Sequence, residues 1–365
     1  MMTSTKLKMK TRVVLPAATM FIALCFSILL LICHNGFSPF LPVYGQGPQN
    51  NNSSSFFQPF STSSSFRSKS SILDNMPSQN VTVGYINIAY KQIGKADAKP
   101  IILITGGGAT MDMWNPLLLE KLISANYKVV IFENRGVGES TVGTKEFSIS
   151  QFTNDTLGLL DALRISKADV LGWSMGGFIA QQLALTYPDR VNNLILYATS
   201  CGGANDRPTP PELIRIVTNS SISPQELEQK VMPFLLLPAS WLKAHPDYLN
   251  YVPIPRETVS QQILLQQQKA ATTWTGTCNA LSNITQRTLV IVGANDDAAP
   301  DSLILAEKIP RSWLIRIGTA GHGLMYQHPD VFNRLLLTFL ENNHEHNLRN
   351  TTFFMDIYGT NIIKW

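Results

Sequence analysis

The chain has 365 residues, 44% of them hydrophobic and 15% charged, which is typical of a globular protein with room for one large domain or two ordinary ones. Its formal net charge is +4, but the excess of basic residues lies in residues 1–75, so the rest of the chain is nearly neutral. Without a basic face or interleaved basic and aromatic residues, the composition gives no reason to expect nucleic-acid binding.

The N-terminal segment has the pattern of a targeting signal. Four basic residues between Lys6 and Arg12 precede an uncharged apolar stretch from Val13 to Cys33, which is a positive n-region followed by an h-region. The stretch is also long enough to cross a bilayer as a helix. Residues 1–45 are therefore interpreted as either a cleaved signal peptide or an N-terminal anchor through which the protein contacts a membrane.

Residues 46–76 are rich in Asn, Ser, Gln, Pro and Phe and have no periodic apolar face, which predicts a disordered, flexible linker. Asn-x-Ser/Thr sequons, which fit an exported glycoprotein, occur along the chain: they begin at Asn51, Asn52, Asn80, Asn154, Asn219, Asn283 and Asn350. The sequence thus predicts an extracytoplasmic protein that is secreted or tethered to the membrane by its N-terminal segment.

Short apolar runs alternate with helical patterns over residues 77–205 and 286–343, which are predicted to form the core. A hairpin pattern comes first, and an eighth strand is predicted at Trp313–Ile317. The five runs between them have no polar alternation, which predicts strands buried on both faces: Ile101–Ile104, Val129–Phe132, Ala168–Leu171, Leu194–Tyr197 and Leu289–Val292. Because helices separate the strands, the sequence predicts an α/β fold with a mostly parallel, eight-stranded sheet and helices on both faces.

The alternation stops between residues 206 and 285, where helical spacing and several prolines replace the strand-like runs. This change predicts a helical cap inserted between the sixth and seventh strands, with part of its apolar surface lining a pocket. The sequence leaves open whether Cys201 and Cys278 pair or remain free thiols. Residues 344–365 form a polar and then apolar C-terminal tail, for which no role is predicted.

The pentapeptide Gly172-Trp173-Ser174-Met175-Gly176 follows the fifth predicted strand and precedes a helical pattern. Where a strand turns sharply into a helix, the turning residue is held in a strained conformation, and the positions two residues away on either side require glycine. The turn would present the Ser174 hydroxyl as a nucleophile, and the N–H of Met175 would point at a developing oxyanion.

A serine nucleophile needs a base, normally an imidazole that a carboxylate holds in one tautomer. After the seventh strand, the turn Gly293–Pro300 supplies Asp296, with Asp297 as the alternative acid; we interpret the remaining aspartate as a cap of the next helix. After the eighth strand, His322 lies between two glycines, whereas the other five histidines are interpreted as solvent-exposed. The order Ser, Asp, His is the one expected for this arrangement.

The loop after the third strand contains Gly106, Gly107 and Gly108, which let the backbone approach a ligand closely. We predict the N–H of Gly107 as the second oxyanion donor. The alternative, a phosphate-binding loop, lacks both the third glycine of a dinucleotide fingerprint and a following Gly-Lys-Ser/Thr. After the fourth strand, Arg135 is expected to brace neighbouring loops rather than take part in catalysis.

Four motifs together resemble the α/β-hydrolase superfamily over residues 81–341: Gly172–Gly177, Asn134–Ser140, Gly293–Pro300 and Ala320–Gly323. The chain looks like the capped branch that includes 3-oxoadipate enol-lactonases, haloperoxidase-type esterases and proline iminopeptidases. This resemblance implies an α/β-hydrolase fold with an inserted helical cap and a Ser-His-Asp hydrolase. In two respects the chain departs from these relatives: Thr105-Gly106 replaces the usual His-Gly, and the leader and linker are unusual for cytosolic enzymes.

The sequence therefore predicts an exported serine hydrolase that cleaves a small carboxylic ester, lactone or related acyl compound. In this prediction Ser174 is the nucleophile, His322 the base and Asp296 the orienting acid, while the amides of Gly107 and Met175 hold the oxyanion. No cofactor or metal is expected, and the oligomeric state is not predicted. The alternatives are a non-catalytic cell-surface ligand-binding module on the same fold, and a perhydrolase or lyase that uses the same triad.

Overall fold

The computed structural model describes residues 73, 76–203, 215–216, 219, 221–227, 231–341, 353–358 and 361–364, all of which lie in a compact unit spanning Gln58–Trp365. The predicted leader and nearly all of the predicted linker fall outside the described residues. Within the described ranges, no helix combines the length and apolarity that crossing a membrane requires.

One sheet of ten strands forms the centre of this unit. In chain order, the strands are β1 Gln79–Val83, β2 Ile86–Ile93, β3 Lys99–Ile104, β4 Tyr127–Phe132, β5 Ala168–Trp173, β6 Val191–Tyr197, β7 Arg287–Gly293, β8 Ser312–Ile317, β9 Phe353–Tyr358 and β10 Asn361–Lys364. Their order across the sheet is β1-β2-β4-β3-β5-β6-β7-β8-β9-β10. Strands β3–β9 are parallel to one another, whereas β1, β2 and β10 pair antiparallel with their neighbours.

The prediction of a mostly parallel α/β sheet is confirmed, and its eight strands correspond to β1–β8. The C-terminal tail, for which the sequence predicted no role, adds two more strands. β9 pairs parallel with β8, and Trp313 lies opposite Phe353 in the register. β10 then pairs antiparallel with β9.

Helices cover the sheet on both faces. In chain order, the α-helices are α1 Pro116–Ser124, α2 Ile149–Ala162, α3 Met175–Thr186, α4 Pro224–Glu226, α5 Met232–Leu236, α6 Ala239–Ala244, α7 Gln261–Thr272, α8 Ala299–Lys308, α9 Leu324–Gln327 and α10 Pro329–Glu341. The side chains of Leu159 (α2), Ile179 (α3) and Leu305 (α8) belong to the hydrophobic core on one face. Leu118 (α1) and Leu336 (α10) belong to the core on the other face.

The continuous apolar runs supply both cores at once, because successive side chains of a strand point to opposite faces. In β3 and β4, Ile102, Ile104 and Val130 pack in the first core, whereas Ile101 and Leu103 pack in the second. All five side chains are fully buried. This explains why the central strands lack the polar alternation of a sheet with one solvated face.

Helices α4–α7 lie between β6 and β7, within the segment predicted as the cap. A disulfide joins Cys201, just after β6, to Cys278, ahead of β7, across a sequence separation of 77 residues. The N–H of Thr277 also donates to the carbonyl of Cys201 at 2.8 Å. The question that the sequence left open is thus answered in favour of a pair, which ties the two ends of the cap together.

Candidate active site

Ser174 occupies a strained turn between β5 and α3. Its backbone angles are φ 54° and ψ −121°, a conformation that residues other than glycine rarely adopt. A Cβ on Gly176 would lie 2.7 Å from the carbonyl oxygen of Thr105, and one on Gly172 would lie 2.8 Å from Cβ of Ala180. Both distances are too short for real contacts, so glycine at these positions allows α3 to begin tightly against the ends of the strands.

Asp296 and His322 are brought together at the carboxyl edge of the sheet. The Nδ1 atom of His322 lies 3.1 Å from each carboxylate oxygen of Asp296. The side chain of Asp296 is 3% exposed and that of His322 25%, and Asp296 also accepts a hydrogen bond from the N–H of Ala298 at 2.9 Å. Because the carboxylate is an acceptor, Nδ1 carries the proton of the neutral imidazole and Nε2 is left as the basic nitrogen.

The pKa of His322 is raised above its ordinary value. Burial alone would lower this pKa, but the charge of Asp296 and the hydrogen bond to it outweigh that effect, with a smaller contribution from the charge of Asp297. The imidazole is therefore a stronger proton acceptor than a free histidine.

Tyr197, the last residue of β6, contacts both the serine turn and the histidine loop. Its carbonyl oxygen accepts a hydrogen bond from the N–H of Ser174 at 2.9 Å, and its hydroxyl donates to the carbonyl oxygen of His322 at 2.7 Å. The indole of Trp173 is near both residues, with its centroid 5.9 Å from the Tyr197 ring and 6.0 Å from the His322 ring. One buried residue thus sets the position of Ser174 relative to His322.

The glycine loop after β3 borders the serine. A Cβ built on Gly106 would lie 3.7 Å from Oγ of Ser174, and one on Gly107 would lie 3.6 Å from Sδ of Met175. Met175 is the first residue of α3, so its N–H has no partner within the helix. The structure therefore places Gly107 beside Met175, so that the two predicted oxyanion donors lie next to the serine turn.

Cap residues that the sequence did not single out contact both loops of the site. Leu264 and Gln267 of α7 approach the glycine loop: the N–H of Gly108 donates to Oε1 of Gln267 at 2.8 Å. From α5, the carbonyl oxygen of Leu236 accepts a hydrogen bond from the N–H of Gly323 at 2.6 Å. One sequence signal for Gln267 existed, because it is the polar member of the buried face Ile263, Gln267 and Ala270, spaced four and three residues apart.

A further ion pair joins the cap to the core. Arg256 binds Asp112 through two hydrogen bonds of 2.9 Å each, and Asp112 also contacts the buried Lys91 at 3.3 Å. Asp112 lies just beyond the glycine loop, in the 3-10 helix Met111–Met113. The cap is thus held to the core at several points around the site.

Two interpretations of residues near the site were wrong. Asp297 does not cap α8: it is exposed, the N-cap is Ala298, and that N-cap makes no side-chain hydrogen bond. His245 and His328 are half-buried rather than solvent-exposed, because His245 stacks on Trp241 with ring centroids 4.0 Å apart and His328 bonds the Thr319 hydroxyl at 3.1 Å. Neither change alters the pairing of Asp296 with His322.

The prediction that Arg135 braces neighbouring loops is confirmed. Its guanidinium binds the carboxylate of Asp155 on α2 at 2.8 and 2.6 Å and donates to the carbonyl of Val142 at 2.9 Å, and the residue is 3% exposed. Beside it, Glu133 accepts the N–H of Met111 at 3.0 Å, and burial raises the pKa of this carboxyl to about 8. In the described part of the chain, no group of three His, Cys, Asp or Glu side chains is arranged to hold a metal ion.

Comparison with known proteins agrees with this fold. A family model for the alpha/beta hydrolase fold matches residues 99–234. The chain is 28% identical to the putative non-heme bromoperoxidase BpoC of Mycobacterium tuberculosis, covering 70% of this chain and 97% of that one. It is 29% identical to 2-hydroxy-6-oxononadienedioate/2-hydroxy-6-oxononatrienedioate hydrolase 1 of Pseudomonas putida, with 70% and 92% covered. Among solved structures, an alpha/beta hydrolase fold protein from Chitinophaga pinensis superposes with a TM-score of 0.64 at 28% identity, covering 73% of this chain and 98% of that one.

The fold and the comparisons define the class of the protein. The chain has the α/β-hydrolase fold, and its sequence is similar to those of hydrolases.

Proposed function

We propose that this α/β hydrolase is a serine hydrolase that cleaves a carboxylic ester, lactone or related acyl compound. The observation that carries the proposal is the connection through Tyr197, which bonds both Ser174 and His322, while His322 bonds Asp296. A strained serine, an imidazole and a buried carboxylate on three loops at one edge of a sheet is the arrangement that activates a hydroxyl for attack.

In the proposed reaction, Oγ of Ser174 attacks the carbonyl carbon while Nε2 of His322 takes its proton. The amides of Met175 and Gly107 donate hydrogen bonds to the oxyanion of the tetrahedral intermediate. The intermediate collapses to the acyl-enzyme, and His322 returns the proton to the leaving alcohol oxygen. A water molecule, deprotonated by His322, then attacks the acyl-enzyme and releases the carboxylic acid, while the serine recovers its proton.

The test is labelling of the purified protein with a fluorophosphonate probe, followed by hydrolysis of p-nitrophenyl acetate and butyrate. Ser174→Ala should abolish labelling and lower kcat/KM by at least about a thousandfold. Ser124→Ala, which changes an exposed serine on α1, serves as the matched control and should keep both. A folded wild-type protein that neither labels nor turns over either ester would refute the proposal and favour a ligand-binding module.

A second candidate reaction is favoured by the similarity to a protein named as a putative bromoperoxidase. In perhydrolysis, hydrogen peroxide rather than water attacks the same acyl-enzyme and releases a peracid. Product analysis with a simple acyl ester and hydrogen peroxide separates the two, because a hydrolase gives only the carboxylic acid.

We further propose that the protein works outside the cytoplasm, either secreted or tethered by its N-terminal segment. The n-region and h-region support this proposal, and so does the Cys201–Cys278 disulfide, because disulfides persist mainly in oxidising compartments. Cell fractionation and the intact mass of the exported protein test it. Full-length protein with both thiols reduced, found only in the cytoplasm, would overturn it.

A further inference from the structure

Gln267 lies on the face of α7 that packs against the core and is 2% exposed. Its neighbours on that face, Ile263 and Ala270, are apolar and buried. A primary amide is costly to bury at such a position unless all of its donors and acceptors find partners. Gln267 therefore stands out as a polar group that packing alone does not explain.

Among the described residues, only half of its carboxamide finds a hydrogen-bond partner. Oε1 accepts the N–H of Gly108 at 2.8 Å, whereas the buried Nε2 has no hydrogen-bond partner among the described residues. The orientation of the amide follows from chemistry: turned over, it would place an NH₂ donor against the Gly108 N–H, which is also a donor. The unpaired group is therefore the NH₂, with two hydrogens to donate.

The carboxamide of Gln267 lies beside the oxyanion loop. Gly108 follows Gly107, and a Cβ on Gly107 would be 4.0 Å from Oε1 of Gln267. Helix α7 is pressed against the loop there, since a Cβ on Gly108 would be 2.6 Å from Cδ2 of Leu264. The amide thus reaches the site from the cap, next to the proposed oxyanion donor.

The position also indicates which part of a substrate it meets. In the proposed mechanism, the leaving group must be within reach of Nε2 of His322, which protonates it, so it lies on the histidine side of the carbonyl carbon. The group that faces the glycine loop and α7 is then the acyl chain. Resting on the proposed function, we propose that Gln267 is a substrate-positioning residue whose Nε2 donates a hydrogen bond to an acceptor oxygen on the acyl chain, close to the scissile carbonyl.

The proposal predicts a preference between two esters of nearly equal shape, p-nitrophenyl methoxyacetate and p-nitrophenyl butyrate, in which an ether oxygen replaces a methylene. Gln267→Leu removes the donor and should lower the ratio of their kcat/KM values, methoxyacetate over butyrate, about tenfold. Gln267→Glu keeps an oxygen for the Gly108 N–H but has no NH₂, so it should lower the ratio at least as much. Damage to the loop would slow both esters alike and leave the ratio unchanged.

Gln262→Leu, on the exposed side of the same helix, is the matched control and should keep the wild-type ratio. The ratio is measured on the full-length chain, after fluorophosphonate labelling of Ser174 has been established for each variant. If the wild type labels and the ratio is unchanged in both Gln267 variants, the proposal for Gln267 is wrong while the proposed function stands. If the wild type does not label, the proposed function fails and this inference fails with it.

Discussion

The Cys201–Cys278 disulfide closes a loop across a sequence separation of 77 residues, and that loop contains helices α4–α7 of the cap. In the chain-entropy account, cross-linking a loop of this length destabilises the unfolded state by about 4.5 kcal/mol at 25 °C. Native contacts at the same place, such as the Thr277 N–H to Cys201 carbonyl bond, persist without the disulfide. We therefore expect the Cys201→Ala/Cys278→Ala double variant to lose about 2 to 4.5 kcal/mol of unfolding free energy.

The assay is urea unfolding of the double variant and of the wild type, the latter with and without reductant. Reduced wild type should match the double variant, because both lack the same cross-link, and reductant should not change the variant further. Labelling of the serine by a fluorophosphonate should also weaken, since the cap contributes Gln267 and Leu236 to the two loops of the site. A stability loss below about 1 kcal/mol would refute the entropic argument, and two free thiols in the exported wild type would refute the pairing itself.

Three further predictions concern the core and the site. Asp296→Asn should lower kcat/KM for p-nitrophenyl butyrate by about a thousandfold to ten-thousandfold. It should also shift the acidic limb of the pH profile to lower pH, because the charge that raises the pKa of His322 is gone. An acidic limb that stays in place would contradict the assignment of Asp296. Burial raises the pKa of Glu133 from 4.5 to about 8, so the unfolded chain releases this proton first and stability falls as pH rises from about 5 to 8, by about 3 to 4 kcal/mol. In urea titrations at both pH values, Glu133→Gln should reduce that fall, and an equal fall in the variant would count against it. Gly176→Ala should lower the free energy of unfolding by about 3 kcal/mol or more, because its methyl would collide with carbonyl oxygens at the end of β3. Gly84→Ala has open space and should lower it by only about 1 kcal/mol, because of its positive φ. Similar losses for the two variants in urea unfolding would argue against the collision.

What could be predicted from the sequence depends on how local each signal is. The turn at Ser174 and the loop of His322 could be predicted because each is defined by a motif of a few consecutive residues. The central strands were found for a similar reason: runs such as Ile101–Ile104 are fully buried and need no knowledge of their partners. These signals placed three candidate catalytic residues at one edge of the sheet.

The features that were missed depend on contacts between distant parts of the chain. Gln267 meets Gly108 across 159 residues, and a single glutamine in a helical pattern does not reveal that contact. Strand β9 exists because the edge of β8 accepts it, and the apolar residues of the tail alone did not show which surface they would meet. Asp297 was expected to cap the next helix because it was the aspartate that remained once Asp296 was assigned as the acid, but Asp297 is exposed and Asp296 instead bonds the Ala298 N–H.

The two C-terminal strands also change which strand forms this edge of the sheet. Without them, β8 would present a row of unpaired N–H and C=O groups, which is a template for pairing with another chain. With them, the margin becomes β10, a strand of only four residues that runs against its neighbour. A short edge strand offers few backbone groups for pairing with another molecule, so the two C-terminal strands reduce the tendency of the sheet to self-associate.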